Sequence, residues 1–313
     1  MLEYVKLGGS SLKVSIVGLG AWQASGKAWG LDVEDEQIVK AIIRAYELGV
    51  NLVDTAEAYG DGHSEEVVAK AVKEIGRENL VIATKVQGGH LRYDDVLKAA
   101  ENSLRRLGIR EIDLYQVHWP DPWDQVPLKH TMRAMERLYK EGKIRAIGVS
   151  NFAVRDLEEA RKHLSEAPIV SNQVKYNMLQ REIEEEVMPY CRRENITIIA
   201  YSPIAQGALT GKYSLSNKPS DDIRRHNKLF SDKNLREVSR LLAVLEKIAK
   251  ARNKTVAQVA MNWLLKDGNV VPIPGAKNPK QAEENAGVAG WRLSEQELVE
   301  IDSVLKTISL DFF

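Results

Sequence analysis

Short apolar runs and longer amphipathic stretches alternate along the chain. The runs are rich in β-branched residues and have the length of buried strands, whereas the stretches repeat apolar residues every three or four positions, as amphipathic helices do. In the first half the pairs are SIVGLG with EDEQIVKAIIRAYELG, VNLVDTA with HSEEVVAKAVKEIG, NLVIATKV with YDDVLKAAENSLRRLG, and EIDLYQVH with LKHTMRAMERLYKEG. Because parallel strands need crossover connections, which helices provide, the pattern predicts a parallel sheet.

Four further pairs follow in the second half. They are IRAIGVSN with VRDLEEARKHL, PIVSNQVKYN with REIEEEVMPYCRREN, ITIIAYSP with LREVSRLLAVLEKIAKARN, and NVVPIPG with NPKQAEENAGV. Eight strand-helix units without a low-complexity linker favour an α/β fold closed as a (β/α)8 TIM barrel, so we interpret residues 1–313 as a single domain. The segment EYVKLGGSSLKVS predicts an N-terminal β-hairpin, and TVAQVAMNWLLKDG and LSEQELVEIDSVL predict extra helices added to the barrel.

Charge and cysteine content narrow the class of protein. The 44 Lys and Arg residues balance 44 Asp and Glu residues, which removes the general electrostatic argument for binding nucleic acid or a membrane but leaves room for a local basic pocket. One cysteine, Cys191, forms no intramolecular disulfide, and the N-terminus lacks a signal-peptide pattern. No apolar run approaches the roughly 18 residues of a membrane span. We therefore expect a cytoplasmic protein, and no metal-ligand set is predicted.

Polar side chains follow three of the predicted strands. Asp54 ends the second strand, Lys85 the third and His118 the fourth, and Tyr59 lies in the loop that leaves the second strand. In such a barrel, residues at the carboxyl ends of the strands meet at one mouth. Taken singly, the carboxylate has an alternative as a cap or turn residue, the phenol as a loop anchor and the imidazole as a core histidine. A lysine among apolar neighbours, however, needs a partner, so we expect the four to form one site.

These residue types suit the protonation of an oxygen atom. A free phenol has a pKa of about 10, and a neighbouring ammonium favours the tyrosinate, so we expect Lys85 to lower the pKa of Tyr59. Asp54 would hold Lys85 and keep it charged, and His118 would hydrogen-bond the same substrate oxygen. An alternative interpretation is a Schiff-base barrel enzyme that uses Lys85 as its nucleophile.

Four motifs appear in order: DTAEAYG, ATK, NSLRRLGIREIDLYQVHWPD and RAIGVSNF. Together they resemble the aldo-keto reductase family over essentially the whole chain, in particular its bacterial branch and the members similar to potassium-channel β-subunits. The resemblance implies that Asp54, Tyr59, Lys85 and His118 form a catalytic tetrad for NADPH-dependent reduction of aldehydes and ketones to alcohols. It also leaves open an NADP-binding, redox-sensing regulatory subunit that keeps the tetrad but acts by binding a partner.

Hydride chemistry requires a cofactor, since no side chain stores a hydride. VGLGAW lacks the third glycine of the Gly-x-Gly-x-x-Gly fingerprint, so a Rossmann site is not supported. The resemblance implies instead that NADPH or NADP+, with NADH as an alternative, lies on the barrel mouth. Its nicotinamide end would contact Ala21, Trp22, Ser150, Asn151, Gln173, Tyr201, Ser202 and Pro203, with Ser150, Asn151 and Gln173 on the carboxamide and Tyr201 stacked on the ring. Helix capping and barrel-interior hydrogen bonding are the alternatives for Asn151 and Gln173.

The segment PIPGAKNPKQAEEN is predicted to hold the other end of the cofactor, because a strand end followed by a helix N-terminus offers free backbone N–H groups to phosphate. Relatives often have Lys-Ser and a later arginine here, so the resemblance implies Lys277 as the partner of a 2′-phosphate and leaves the preference for NADPH over NADH open. A solvated turn residue is the alternative for Lys277. Together with the long loop after YSP, the implied contacts are Gly207, Leu209, Lys212, Gly275, Ala276, Lys277, Gln281, Glu284 and Asn285.

Four of the six tryptophans follow the first and fourth strands. We expect them to border the mouth and to suit an apolar or aromatic carbonyl substrate, with packing of the long loops as the alternative. The predicted substrate-binding residues are Trp22, Trp29, Trp119 and Trp123. A small-molecule carbonyl compound is the expected partner, and the protein is expected to be a monomer or a weak homo-oligomer.

Overall fold

The computed structural model describes residues 2–26, 33–123, 125–221 and 223–312. A short antiparallel hairpin comes first and consists of β1 (Tyr4–Lys6) and β2 (Lys13–Ser15). Eight parallel strands follow it along the chain. They are β3 (Leu19–Gly20), β4 (Leu52–Asp54), β5 (Val81–Val86), β6 (Ile112–Val117), β7 (Ile144–Ser150), β8 (Ile169–Lys175), β9 (Thr197–Tyr201) and β10 (Val270–Pro272).

The eight strands pair in the order in which they occur in the sequence, from β3 to β10. The first and last strands then meet. Gly20 forms a parallel bridge with Gly275, and the backbone N–H groups of Gly18 and Gly20 donate to the carbonyl oxygens of Pro272 and Pro274 at 2.9 and 3.0 Å. These bonds close the sheet on itself, so the predicted (β/α)8 TIM barrel with an N-terminal hairpin is confirmed.

Helices follow every barrel strand and cover its outer face. In the described parts of the chain the α-helices are α1 (Asp35–Glu47), α2 (His63–Ile75), α3 (Tyr93–Leu107), α4 (Leu128–Lys140), α5 (Val154–Lys162), α6 (Val187–Arg193), α7 (Asp232–Arg252), α8 (Val256–Leu264), α9 (Pro279–Ala286) and α10 (Glu295–Leu305). Most of them turn an apolar stripe towards the sheet, and the largest apolar cluster lies between the strands and the helices. Among the described residues, no helix is both long enough and apolar enough to cross a bilayer.

The order of α7 and α8 corrects one sequence-based expectation. The sequence predicted that the segment of α7 follows β9 as its barrel helix and that the segment of α8 is an addition. In the structure α8 packs against β10, and its residues from 257 to 264 are all buried, whereas α7 packs on α8 and α10. The prediction was wrong because the order of the segments along the chain does not show which helix packs against the strands. The α8 helix is short, and its residues are buried on all sides, as in an inner layer.

The interior of the barrel differs between its two ends. Near the amino ends of the strands it is apolar, and the hairpin closes it: Leu7 and Val14 pack with Leu52 and Val170, and the backbone N–H of Gly8 donates to the Thr197 hydroxyl at 2.8 Å. Near the carboxyl ends the buried side chains become polar. Burying a polar group costs folding free energy unless the group has a hydrogen-bond partner. The buried polar side chains at this end therefore indicate a functional site.

Candidate active site

The structure brings together Asp54, Tyr59, Lys85 and His118. Asp54 is the last residue of β4, Lys85 lies near the end of β5, and His118 directly follows β6. Lys85 Nζ lies 2.6 Å from Asp54 Oδ1 and 3.3 Å from the Tyr59 hydroxyl. The ring of Tyr59 also meets the ring of His118 edge-on, with centroids 5.7 Å apart.

The ammonium of Lys85 is fully buried and fully hydrogen-bonded. Its three hydrogens go to Asp54, to the carbonyl oxygen of Thr55 at 2.8 Å, and to the Tyr59 hydroxyl. An ammonium only donates, so the Tyr59 oxygen must be the acceptor in the last of these bonds. The hydrogen of the phenol is therefore free to point elsewhere, into the cavity at the barrel mouth.

The pKa values of Lys85 and Tyr59 are both shifted by burial and by their charged neighbours. Burial lowers the pKa of the Lys85 ammonium, but the charge of Asp54 and the contact with Tyr59 together raise that pKa above its usual value, so Lys85 stays charged. For Tyr59, burial raises the pKa, the Lys85 charge lowers it, and Asp54 raises it again. The net direction is upward. Lys85 therefore lowers the pKa of Tyr59, as expected, but the pKa stays above its usual value because desolvation of the phenolate outweighs the attraction of the ammonium.

His118 is held neutral. Burial, followed by repulsion from the Lys85 charge, lowers the pKa of His118 to about 3. A neutral imidazole carries one N–H and one bare nitrogen, and it donates a hydrogen bond without bringing a charge. At neutral pH His118 is thus a hydrogen-bonding group beside Tyr59, while Lys85 carries the positive charge of the cluster.

The loop that carries Tyr59 is shaped by its glycines. Residues Gly60, Asp61 and Gly62 all have positive φ, between 54° and 95°. A Cβ on Gly62 would lie within 2.9 Å of three atoms of the Arg106 guanidinium arm, which is itself bonded to Glu65. The chain therefore turns sharply into α2 directly after Tyr59, and a side chain at position 62 would strain the backbone and displace Arg106.

A second group of polar residues lies at the carboxyl ends of β7, β8 and β9. Asn151 has a φ of 60°, unusual for a residue other than glycine, and its Nδ2 donates to the carbonyl oxygen of His118 at 3.1 Å. The Tyr201 hydroxyl donates to Asn151 Oδ1 at 3.0 Å, and the Ser150 hydroxyl donates to the carbonyl oxygen of Gln173 at 2.8 Å. Such backbone strain persists only where the surroundings enforce it, and it is common at binding sites.

A cavity of about 860 Å³ opens above these residues. It runs from the tetrad to the start of α9, and most of the predicted cofactor contacts line it. The predicted residues in its wall are Trp22, Ser150, Asn151, Gln173, Tyr201, Ser202, Pro203, Gly207, Lys212, Gly275, Lys277, Gln281, Glu284 and Asn285. Three other predicted residues, Ala21, Leu209 and Ala276, are buried beneath this wall.

The far end of the cavity is built by the start of α9. Asn278 caps this helix, and its side chain accepts from the backbone N–H of Gln281 at 3.0 Å. The side chain of Gln281 turns back and accepts from the backbone N–H of Lys277 at 2.8 Å, while Asn285 donates to the carbonyl oxygen of Gly275 at 3.1 Å. The segment that the sequence predicted as the phosphate end therefore forms one hydrogen-bonded unit beside the cavity.

The tryptophans are distributed unevenly. Trp22 and Trp119 line the cavity, and the Trp22 ring stacks on Tyr59 with centroids 6.2 Å apart. Trp123 is 76% exposed and lies outside the cavity wall, on a turn whose backbone N–H groups bind Asp121. Trp29 lies outside the described residues.

Sequence reasoning missed several residues of the site. Gln116, on β6, is fully buried and donates to Asp54. A signal was present, because Gln116 is a polar residue inside the apolar run LYQV, two positions before His118 and so on the same face of the strand. Other missed residues of the cavity wall include Gln23, Gln37, Lys175, Gln206, Thr210 and Tyr213, and no spacing rule in the sequence marks them.

Comparison with known proteins supports the same family. The chain is 37% identical to the aldo-keto reductase YhdN of Bacillus subtilis over 98% of this chain and 95% of that protein. It is 32% identical to the NADH-specific methylglyoxal reductase of Escherichia coli over 94% of this chain and 95% of that protein. A crystal structure of an aldo-keto reductase from Klebsiella pneumoniae in complex with NADPH superimposes with a TM-score of 0.79, at 30% identity, over the whole of both chains. The model of the Aldo/keto reductase family matches residues 16–306, and the chain belongs to this family.

Proposed function

We propose that this protein reduces aldehydes and ketones to alcohols with NADPH and that Tyr59 donates the proton to the carbonyl oxygen. One observation carries the proposal: the Tyr59 oxygen accepts a hydrogen bond from the buried, charged Lys85, which leaves the phenolic hydrogen to be donated into the cavity. The other three residues of the tetrad support this proton transfer. The protein is thus an oxidoreductase that acts on small carbonyl compounds.

Each residue has a distinct part in the proton transfer. The neutral His118 ring donates a hydrogen bond to the carbonyl oxygen and orients it towards Tyr59. Tyr59 then gives up its proton, and the ammonium of Lys85 stabilises the tyrosinate that remains. Asp54 keeps Lys85 charged through the 2.6 Å contact, since an unpaired ammonium in this position would tend to lose its proton.

The residues of the mouth fit a nicotinamide cofactor. The cavity volume of about 860 Å³ lies in the range of cofactor sites, and hydrogen-bonding groups converge at one end while a helix N-terminus closes the other. Ser150, Asn151 and Gln173 would hold the carboxamide, and Tyr201 would stack on the ring. When bound, NADPH supplies the hydride that reduces the carbonyl carbon.

Lys277 is proposed as the group that favours NADPH over NADH. It lies at the start of the capped helix α9 and lines the cavity, where a cation would meet a 2′-phosphate. Two relatives differ in this respect, because the Klebsiella structure holds NADPH and the Escherichia coli reductase is NADH-specific. We therefore propose a preference for NADPH in which NADH is still used.

The substrate is proposed to be a small carbonyl compound with an apolar or aromatic part. Trp22 and Trp119 line the cavity near Tyr59 and offer flat apolar surface beside the proton donor. We further propose that residues 1–313 form one domain that works as a monomer or weak homo-oligomer, since all four tetrad residues come from one closed barrel. Light scattering on the purified protein would test the oligomeric state.

Two rival functions make different predictions. A Schiff-base enzyme needs Lys85 as a neutral amine, but the environment of Lys85 raises its pKa and uses all three hydrogens of its ammonium, which speaks against a nucleophilic role. A regulatory subunit would bind NADPH with little turnover. Incubation with a panel of aldehydes and ketones, followed at the absorbance of NADPH and of NADH, separates the three. Steady oxidation of NADPH supports the reductase, whereas borohydride trapping of substrate on Lys85, or tight binding without turnover, would contradict it.

A further inference from the structure

Gln116 occupies the centre of the polar part of the barrel, and the mechanism above does not use it. It lies on β6 and is fully buried. Its neighbours in register are Lys85 on β5 and Gly148 on β7. A buried amide has two donors and an acceptor to satisfy, so its partners indicate what it does.

Three side chains close a ring of hydrogen bonds. Gln116 Nε2 donates to Asp54 Oδ2 at 3.1 Å, and Gln173 Nε2 donates to the same oxygen at 2.8 Å and to Gln116 Oε1 at 3.3 Å. The other oxygen of Asp54 accepts from Lys85. An ionised carboxylate only accepts, so the nitrogen atom of each amide must face Asp54. The ring therefore fixes which way both amides are turned.

The ring has a direct consequence for Gln173. Its amide nitrogen has two hydrogens, and both are used, one by Asp54 and one by Gln116. Only the oxygen Oε1 of Gln173 is left to meet a molecule in the cavity that this residue lines. Gln173 is thus an acceptor towards the cavity, and Gln116 is one of the two groups that keep it so.

The neighbouring strand provides the space that Gln116 needs. Position 148 on β7 is glycine, and a Cβ built there would lie 2.9 Å from Gln116 Cγ. Real Cβ atoms do not come so close to another carbon atom, so a side chain at position 148 would push Gln116 out of its place. Close packing on this side therefore adds to the hydrogen bonds in holding one orientation of the amide.

We infer that Gln116 is a positioning residue that holds Gln173 with its oxygen towards the cavity, as an acceptor for the carboxamide NH2 group of a nicotinamide cofactor. This inference rests on the proposed function. Gln116 touches neither the cofactor nor the substrate, and it acts through Gln173 and Asp54. When Gln116 is replaced by a group that cannot hydrogen-bond, one hydrogen of the Gln173 amide loses its partner, and the bond to Asp54 alone is left to hold the orientation of the amide.

The test compares wild type with Gln116→Met, which keeps the length of the side chain and removes the amide. The affinities for NADP+ and for its 3-acetylpyridine analogue, whose acetyl group has no NH2, are measured by quenching of tryptophan fluorescence. Wild type is expected to prefer NADP+, and in Gln116→Met this preference should shrink by about two- to tenfold, the range for one neutral hydrogen bond. An unchanged preference would overturn the inference.

Two further variants exclude a merely structural role. Thr84→Val removes another buried hydrogen bond on β5, to Glu65 at 2.6 Å, and should lower thermal stability without changing the preference between the two cofactors. Gln173→Leu should reduce the preference by itself, and the double variant with Gln116→Met should reduce it no further. Independent, additive losses would overturn the inference. If wild type binds neither NADP+ nor NADPH, the proposed function fails, and the inference fails with it.

Discussion

The two ends of the mouth cavity differ in how deeply their polar groups are buried and in how these groups are held. At the tetrad end, Lys85 and Asp54 are buried and joined by a 2.6 Å contact inside a closed set of hydrogen bonds. At the other end, Gln281 is exposed and Lys277 is half-buried, on a helix start held by hydrogen bonds from backbone N–H groups to the amide side chains of Asn278 and Gln281. Charges buried away from water interact strongly and tolerate little change, whereas exposed charges are screened. The first end is suited to chemistry and the second to the choice of ligand.

The largest effects are expected from Lys85→Met. This change removes the charge that stabilises the tyrosinate and leaves Asp54 buried without its ion-pair partner. Carbonyl reduction should fall by at least roughly 10²-fold to 10⁴-fold. Because the Lys85 charge lowers the pKa of Tyr59, its loss should move the alkaline limb of the residual pH profile to higher pH. Steady-state rates across the pH range give both results.

Asp54→Asn, combined with Lys85→Met, tests whether the two residues act as a unit. The double variant should be scarcely worse than Lys85→Met alone, because Asp54 acts by keeping Lys85 charged. Each variant is checked for folding by its circular dichroism spectrum. Fully additive losses in catalytic rate would mean that Asp54 is only a structural residue at the end of β4.

A comparable but cleaner loss is expected from Tyr59→Phe. The ring keeps its stacking on Trp22, while the proton donor is removed. Reduction should fall by roughly 10²-fold to 10⁴-fold, with the affinity for NADPH nearly unchanged. Single-turnover rates and fluorescence titrations separate the two quantities. Near-normal turnover would assign the proton to His118 or to water.

At the opposite end of the cavity, Lys277→Ala should have a moderate and selective effect. If Lys277 pairs with the 2′-phosphate, NADPH binding weakens by about 1.5 to 3 kcal/mol, the range for hydrogen bonds to charged groups, and NADH binding is almost unaffected. Raising the ionic strength should reduce the difference between the two cofactors. Equal losses for NADPH and NADH would show that the loop, and not the charge, binds the cofactor.

The smallest effect concerns His118 and pH. Since burial and the Lys85 charge lower the pKa of His118 to about 3, its ring stays neutral throughout the range from about pH 5 to 8. The dependence of kcat/KM on pH should therefore show no inflection from this group in that range. An acidic inflection near the ordinary histidine pKa of about 6.5 that disappears in His118→Gln would contradict this assignment.

The same contrast explains what the sequence predicted well. The positions of Asp54, Lys85 and His118 followed from apolar runs that end in a polar residue, because parallel strands bring their carboxyl ends together whatever their order in the chain. Closure into a barrel followed from counting eight units. Both predictions rest on features that are visible in the sequence itself, namely the apolar runs and the number of strand-helix units.

Other features depend on distances that a linear pattern does not contain. The net rise in the pKa of Tyr59 results from a balance between burial and two charges of opposite sign, and the burial of a side chain cannot be measured from its position in the sequence. The exchange of α7 and α8 followed from packing between layers. The exposure of Trp123 depends on a local turn around Asp121, and the role inferred for Gln116 depends on contacts with strands that are far away in the sequence.

The bonds between Gly18 and Pro272 and between Gly20 and Pro274 also affect when the barrel can close during synthesis of the chain. A chain grows from its N-terminus, so the segments with Asp54, Tyr59, Lys85 and His118 are synthesised well before β10 exists to complete the ring. Until then both edges of the growing sheet expose unpaired backbone groups that invite association with other chains. Contacts between segments so far apart in the sequence also form slowly. The interval before β10 joins the sheet is therefore the stage at which this protein depends most on protection from aggregation.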